Sequence, residues 1–366
     1  MIPNARFARK DVHNFFPIIR QRVNEYFEKN NIKRTGNREL HVKTILMFAL
    51  YFVPYALVLM QLFSIPLMLF CYMVMGLGQA GIGLCVMHDA NHGSYSKRKW
   101  LNQIMQYSTD LIGASSFTWK IQHNVLHHSF TNVYEMDEDI HDKPFIRLSP
   151  SGKLKKYHRF QHIYAPVLYC LSVTSWIIKK DFTQLIDYNS SGMTKHCGYN
   201  PTRETIVMIA WKLLYVFYMF ALPIYLGVAW WVTLLGFLLS TMVSGFIITI
   251  IFQLAHVVEG PDHHAPPEDG KLENTWAIHQ LKSTANFACK NRFITYVVGG
   301  LNYQIEHHLF PKISHVHYKH ISKIVKNTAE EFNLPYYEYK RFRQAVASHI
   351  RVLKLLGEGK ALKVSS

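Results

Sequence analysis

Eight histidines of this chain have the types of spacing that hold metal ions: His88 with His92, His123 with His127 and His128, His307 with His308, and a solitary His256. Residues four apart on a helix lie one turn apart on the same face, so His88/His92 and His123/His127 can each offer two imidazoles to one ion. His128 adds a neighbour that can reach a second. Neutral imidazole suits iron, zinc, copper and nickel, and no comparable cluster of thiolates or carboxylates accompanies these residues. Eight donors exceed the four of a single zinc site, which makes two ions the natural count. Iron can activate dioxygen, whereas zinc has no redox state to use.

The elements that must carry these clusters are read from charge. The chain has 366 residues, 49% of them apolar, and 40 Lys and Arg. None of the basic residues falls between Thr44 and Ser96 or between Leu213 and Gly270. Thr44–Met87 and Leu213–Ala255 are uncharged runs of 44 and 43 residues. A helix crosses the hydrocarbon core with about 20 residues, so each run predicts two spans, with turns near Phe63–Pro66 and Gly227–Trp231. The expected fold is an all-α integral membrane protein with four transmembrane helices in two hairpins. His88 and His92 directly follow the first of these runs, and His256 closes the second.

Because neither turn carries a basic residue, the positive-inside rule assigns residues 1–43, 88–212 and 256–366 to the cytoplasm. Both termini and all the histidine clusters then share one side. The first 43 residues are polar and basic, unlike a secretory signal peptide. A formal charge of +16 is met more simply by anionic headgroups beside the spans than by nucleic acid, and it can also steer an acidic protein or an anionic substrate. Five scattered cysteines, Cys71, Cys85, Cys170, Cys197 and Cys289, lack metal-ligand spacing and predict no structural disulfides. The remaining pattern suggests an amphipathic surface helix over Asp11–Asn31, an interfacial segment over Asn102–Thr118, a loop over Gly192–Pro201, and helices from Val316 to Leu355 broken near Pro335. With no long linker or repeat, residues 1–366 read as one domain.

Taken together, these residues resemble the membrane fatty acid desaturase family, in particular its front-end branch. The resemblance rests on His88–His92, the run His123–Asn132, the stretch His158–Pro166, and Gly299–Pro311, which contains Gln304-Ile305-Glu306-His307-His308. It implies a cytoplasmic helical cap holding two iron ions on His88, His92, His123, His127, His128, His307 and His308, with His256 in the place of an extra ligand after the fourth span. It further implies an oxygen-dependent removal of two vicinal hydrogens from a fatty acyl substrate, carried as acyl-CoA or acyl-lipid. Gln304 stands where many desaturases have a histidine, a mark of enzymes that act on the carboxyl side of an existing double bond. An amide is a weak ligand, so Gln304 is expected to support a ligand rather than replace one.

Asp89 and Glu306 lie inside boxes and are expected to orient imidazoles, while Asp137, Glu138 and Asp139 could do so or remain solvated. Gly299 and Gly300 predict a turn or a close backbone approach before the third box. Trp276 and Gln280 are candidates for substrate contact, with interfacial packing expected for Trp276. His263, His264, His315, His317 and His320 read mostly as surface residues. No His-Pro-Gly-Gly haem motif occurs in residues 1–43 or 312–366, so the resemblance implies a separate electron donor, a ferredoxin or a cytochrome b5, and a bacterial inner membrane. Two other readings remain open: a lipid hydroxylase or ketolase on the same scaffold, and a non-redox metal transporter or receptor. The second sits poorly with spans whose histidines are all at their ends.

Overall fold

Apolar runs too long for a globular core become four long helices in the computed structural model, which describes residues 5–9, 14–141 and 143–362. The helices Arg38–Leu59, Ile65–Asn91, Pro201–Tyr225 and Trp230–His256 are each long and apolar enough to cross a membrane. They carry large apolar side chains outward, among them Ile45, Val53, Phe70, Leu213, Phe217 and Trp230, a surface that water would penalise and lipid satisfies. The turns fall at residues 60–64 and 226–229, as the uncharged runs predict.

The helix starts differ from that prediction. Helices begin at Arg38 and Pro201, before the uncharged runs, and so include Lys43 and Lys212. Both lysines are buried and both have an anion within reach: Lys43 Nζ lies 3.5 Å from Glu39, one turn earlier, and Lys212 Nζ lies 2.6 Å from Asp181. A paired charge does not have to end a helix.

The chain divides into two compact units. One comprises Arg38–Ile121 and Pro166–Ile250; the other comprises the described residues up to Asn37, Gln122–Ala165, and the chain from Ile251 onward. In the first, Tyr51, Tyr55, Tyr72, Met75, Tyr215, Met219 and Phe237 form the core. Glycine lets its helices approach closely: a Cβ on Gly78 would stand 2.5 Å from the Tyr51 backbone nitrogen. Lys212 also donates to the carbonyl oxygens of Gly113 and Ile177, while Asp181 accepts from Thr118 and Trp176.

In the second unit, the helix Phe15–Lys29 buries Phe15, Ile19, Val23 and Phe27, a four-residue repeat along one face. Each such burial is worth about 1.5–3 kcal/mol. They pack with Leu281, Ile305, Leu309, Tyr318, Ile321 and Val325, which joins this helix to the segment carrying the third box. Only the part of the expected Asp11–Asn31 helix from Phe15 onward is described as helical; residues 11–13 lie outside the described residues. Two short parallel pairings, Arg6–Phe7 with Lys271–Leu272 and Ala285–Phe287 with Tyr337–Tyr339, complete the unit. The stretch His158–Pro166 is tied down by Gln161, whose amide donates to the carbonyl oxygens of Arg147 and Leu353.

Two further expectations are refined and a third holds. Residues 99–119 form three short helices rather than one segment, and Met193–His196 forms a helical turn within the expected loop. Beyond Tyr318, the helices Tyr318–Glu331 and Phe342–Gly357 flank Pro335 as expected.

Candidate metal centre

The second box does not sit on an ordinary α-helix. Lys120–His127 is π-helical and passes into a short α-helical turn at His128–Phe130. Hydrogen bonding from i to i+5 brings residues five apart together, and His123 Nε2 lies 3.2 Å from His128 Nε2. The sequence reading paired His123 with His127 across four residues. Their rings do stack at 5.3 Å, but the close approach of nitrogens belongs to His128.

The third box follows a tight turn in which Gly299 and Gly300 adopt φ of 60° and 65°, values that favour glycine. A Cβ on Gly300 would meet the His315 carbonyl oxygen at 2.9 Å. The helix Gln304–Leu309 then presents two histidines to the second box: His307 Nε2 lies 2.9 Å from His128 Nε2, and the His308 ring centroid lies 5.0 Å from that of His127. His256, which has no box of its own, joins them at the end of the helix Trp230–His256, with its ring 4.8 Å from those of His127 and His308.

Several groupings of ligand atoms result, two of them made of three histidines each and another that joins His123 and His127 to Asp139. One ring nitrogen each of His127, His256 and His308 lie within 4.8 Å of one another, and so do those of His128, His307 and His308. Metal–nitrogen bonds of about 2.1 Å at roughly 90–110° place ligand nitrogens about 3.0–3.4 Å apart, close to the spacings around His128. All five side chains are at least 95% buried.

The opposite ring edges are held in place. His127 Nδ1 lies 3.0 Å from Asp137, His308 Nδ1 2.7 Å from Gln280 Oε1, and His307 Nδ1 3.1 Å from the Tyr318 hydroxyl. His256 Nδ1 donates to the Ser283 carbonyl oxygen over 3.2 Å. A carbonyl or carboxylate acceptor fixes the proton on Nδ1 and leaves the Nε2 lone pair for a metal. Among the described residues, His127 Nε2 and His256 Nε2 are buried with no hydrogen-bond partner, as expected of atoms built to bind an ion. The donor set therefore fits a metal site.

Electrostatics around Asp137 reinforce this. Burial favours the neutral His127 ring, but the charge and hydrogen bond of Asp137, aided by Asp139, outweigh it and raise its pKa. Asp137 is likewise buried, yet His127 and the backbone amides of Asn132 and Asp139 hold its pKa below the ordinary carboxylate value. Asn132, with φ of 58°, donates from its side chain to the carbonyl oxygens of His256 and Asp262, each over 3.1 Å. It fastens the end of the second box to the end of the His256 helix.

His88 and His92 belong to the first unit. They follow a π-helical run, Ile82–Met87, and occupy one α-helical turn in which the His92 amide donates to the His88 carbonyl oxygen over 3.2 Å. Their rings are 4.8 Å apart, as the four-residue spacing predicts, and both meet the edge of Trp119. Asp89 Oδ1 lies 3.9 Å from His88 Nδ1.

Several roles move to other residues. Glu306 is fully buried, but its carboxylate accepts from Asn286 and Tyr336, each over 2.8 Å, instead of orienting a histidine. Its burial, only partly offset by those hydrogen bonds, pushes its pKa up to about 7. Gln304 is buried where the third-box helix begins. Gln280, first considered for substrate contact, orients His308 and accepts from Thr131 over 2.8 Å. Trp276 donates to the His128 carbonyl oxygen over 2.9 Å. His315 and His317 are buried, not on the surface: His315 packs against Gly300, and the His317 ring donates to the Thr35 carbonyl oxygen. Sequence spacing misses Gln280, Ser283 and Tyr318, which come from distant segments; Asp137, ten residues beyond His127, had only its acidic neighbours as a signal.

The helical scaffold and buried imidazole cluster define a membrane protein built to hold metal on histidine. The fatty acid desaturase family model matches residues 63–340, and the chain belongs to that family. It is 39% identical over 355 residues to an acyl-lipid (8-3)-desaturase of Physcomitrium patens, covering 96% of this chain and 73% of that protein. It is 34% identical over 359 residues to the sn-1 linoleoyl-lipid 6-desaturase of Synechocystis sp., covering 98% of this chain and 99% of the other. The corresponding protein of Arthrospira platensis is 35% identical over 337 residues, 92% and 90% of the two chains. The protein is thus a fatty acid desaturase, an oxidoreductase of lipid metabolism that acts on a fatty acyl substrate with dioxygen.

Proposed function

We propose that this desaturase inserts its double bond on the carboxyl side of an existing one, in a polyunsaturated acyl chain carried on a glycerolipid. The names of the Physcomitrium, Synechocystis and Arthrospira relatives support the acyl-lipid carrier, and Gln304 supports the front-end branch. Two iron ions, held by His88, His92, His123, His127, His128, His256, His307 and His308, are the proposed cofactor. The observation that carries this is the buried cluster of His127, His128, His256, His307 and His308, with Nδ1 atoms turned outward onto Asp137, Gln280, Tyr318 and Ser283. The metal, when bound, supplies dioxygen activation.

The chain's own residues supply the rest. Asp137 and the Ser283 carbonyl hold the protons of His127 and His256 on Nδ1, keeping Nε2 available for binding. The buried packing around His308 excludes water from the ligand set. Apolar spans suit a lipid substrate, whose methylene must be held within contact distance of the site. The basic residues flanking the spans support an orientation with both termini and the histidines at the cytoplasmic side, and the cyanobacterial relatives support a bacterial inner membrane. The family model crosses both compact units, in keeping with one desaturase domain over residues 1–366. A ferredoxin or a cytochrome b5 is the proposed electron donor.

The test is expression in a host supplied with linoleic acid, with fatty acids profiled by gas chromatography and mass spectrometry, beside a His308→Ala control. A triene with its new double bond toward the carboxyl end, absent from the control, is the expected product. A methyl-side double bond or a hydroxylated chain overturns the proposal.

A further inference from the structure

We infer that the surface formed by Lys33–Arg34 and by Lys312–Lys319 is the docking site for an acidic one-electron carrier protein. The inference rests on the proposed desaturase reading, in which dioxygen takes two electrons from the acyl chain and two from outside, with two protons, to give a double bond and two waters.

Tyr318 locates the entry point. Its hydroxyl lies 3.1 Å from His307 Nδ1, and it is the first residue of the helix Tyr318–Glu331. The next residues, Lys319 and His320, are exposed. One side chain therefore spans the distance from a proposed ligand to a surface helix end. The backbone of Arg34 and Thr35 lies against the same place: the Ser314 amide donates to the Arg34 carbonyl oxygen over 2.8 Å, and the His317 ring donates to that of Thr35 over 3.1 Å. Lys33, Arg34, Lys312 and Lys319, all exposed, each lie within two residues of these contacts.

Charge pairing differs along this helix. Toward its far end, Glu331 pairs with Arg22 at 2.6 Å and Lys326 pairs with Glu338 at 2.9 Å. At the Tyr318 end, none of Lys33, Arg34, Lys312 or Lys319 is ion-paired with a carboxylate among the described residues. Arg34 instead lies 5.9 Å over the Phe27 ring. Uncompensated positive charge beside a ligand's hydrogen-bond partner is what an acidic carrier requires, since complementary fields accelerate encounter by roughly 10–10³-fold at low salt. Headgroup binding would use the same cations but does not need them beside the hydrogen-bond partner of a ligand.

The experiment uses the full chain in phosphatidylcholine nanodiscs and an acidic [2Fe–2S] ferredoxin as probe. The Arg34→Glu/Lys312→Glu/Lys319→Glu variant is compared with wild type, with a milder Lys312→Gln/Lys319→Gln variant, and with Lys153→Glu at an exposed site elsewhere. Ferredoxin affinity, measured by surface plasmon resonance, is expected to fall at least tenfold in the triple variant and about threefold in the milder one, with no change for Lys153→Glu. The differences should close as salt rises. Product formation driven by dithionite and a small mediator should stay at the wild-type level. Ferredoxin affinity within twofold of wild type in both patch variants overturns the docking site. If those variants instead lose a preference for phosphatidylglycerol in the nanodisc, the patch belongs to lipid headgroups and the inference fails. Absence of product with dithionite in the wild type counts against the desaturase reading, which the affinity measurement does not depend on.

Discussion

Replacing Asp137 by Asn should strip metal from the site while leaving the fold largely in place. Asp137 accepts from His127 Nδ1 at 3.0 Å, from the Asn132 amide at 2.9 Å and from the Asp139 amide at 3.0 Å. One oxygen of the carboxylate takes the first two bonds and the other takes the third. An Asn oxygen can keep the first two, but its amide group must then face the Asp139 N–H, donor against donor. Leaving a buried donor unsatisfied costs about 1–3 kcal/mol, which most folded proteins survive. The larger effect falls on His127, whose Nδ1–H loses a charged acceptor. Loss of such an orienting partner typically lowers metal affinity about 10–100-fold, or about 1.4–2.8 kcal/mol. Asp139 provides the comparison. It lies 3.5 Å from His127 Nδ1 with its side chain 18% exposed, so Asp139→Asn should change affinity by less than about threefold. Iron retained by purified protein during graded chelator competition, read by mass spectrometry of the metal, measures both. Equal iron retention by Asp137→Asn and wild type, or equal losses from the two variants, would refute the reasoning.

Two other outcomes follow from buried charge in the first unit. Lys212→Met leaves Asp181 without its cation and should cost about 3–5 kcal/mol, whereas Lys212→Met/Asp181→Asn should cost markedly less; thermal unfolding in detergent compares them, and equal losses would discount the pair. Asp110 is buried, and this outweighs the hydrogen bond from the Ser116 amide to raise its pKa from 3.8 to about 7. Unfolded, its carboxyl loses the proton near pH 3.8; folded, it holds the proton to about pH 7. Stability is therefore greatest below the lower value and falls by roughly 4 kcal/mol as pH rises to the upper one, then levels off. Asp110→Asn should remove that part of the pH dependence; identical unfolding profiles for variant and wild type between pH 4 and 8 would contradict the assignment.

The contrast between what was and was not legible has a physical basis. The uncharged runs gave the four long helices and both turns, because lipid leaves few ways to satisfy a backbone. Lys43 and Lys212 hid the helix starts: Asp181 meets Lys212 only once the chain has folded, while Glu39, four residues before Lys43, was a helical pairing that a count of charges passes over. Spacing singled out His127, His128, His307 and His308, and its place at the end of the fourth span singled out His256. It could not identify the groups behind them: Gln280, Ser283 and Tyr318 reach the site through tertiary packing, and Glu306 turns away because Asn286 and Tyr336 stand closer. The pairing of His123 with His128 was invisible for another reason, since the period used to read it was that of an α-helix.

That change of period bears on how such a chain can vary. A π-helical run, Ile82–Met87, leads into the first box, and another, Lys120–His127, carries His123 and His127 of the second; such a turn holds one residue more than an α-turn. Removing a single residue from either run would restore an ordinary helix with its two ends in nearly the same phase, because the deletion takes away the extra residue of the π-turn, but the approach of residues five apart would be lost with it. In the second box it is that approach which sets His123 against His128. One extra residue in the turn is therefore what the close pairing of His123 and His128 depends on, and an α-helix one residue shorter would part their nitrogens.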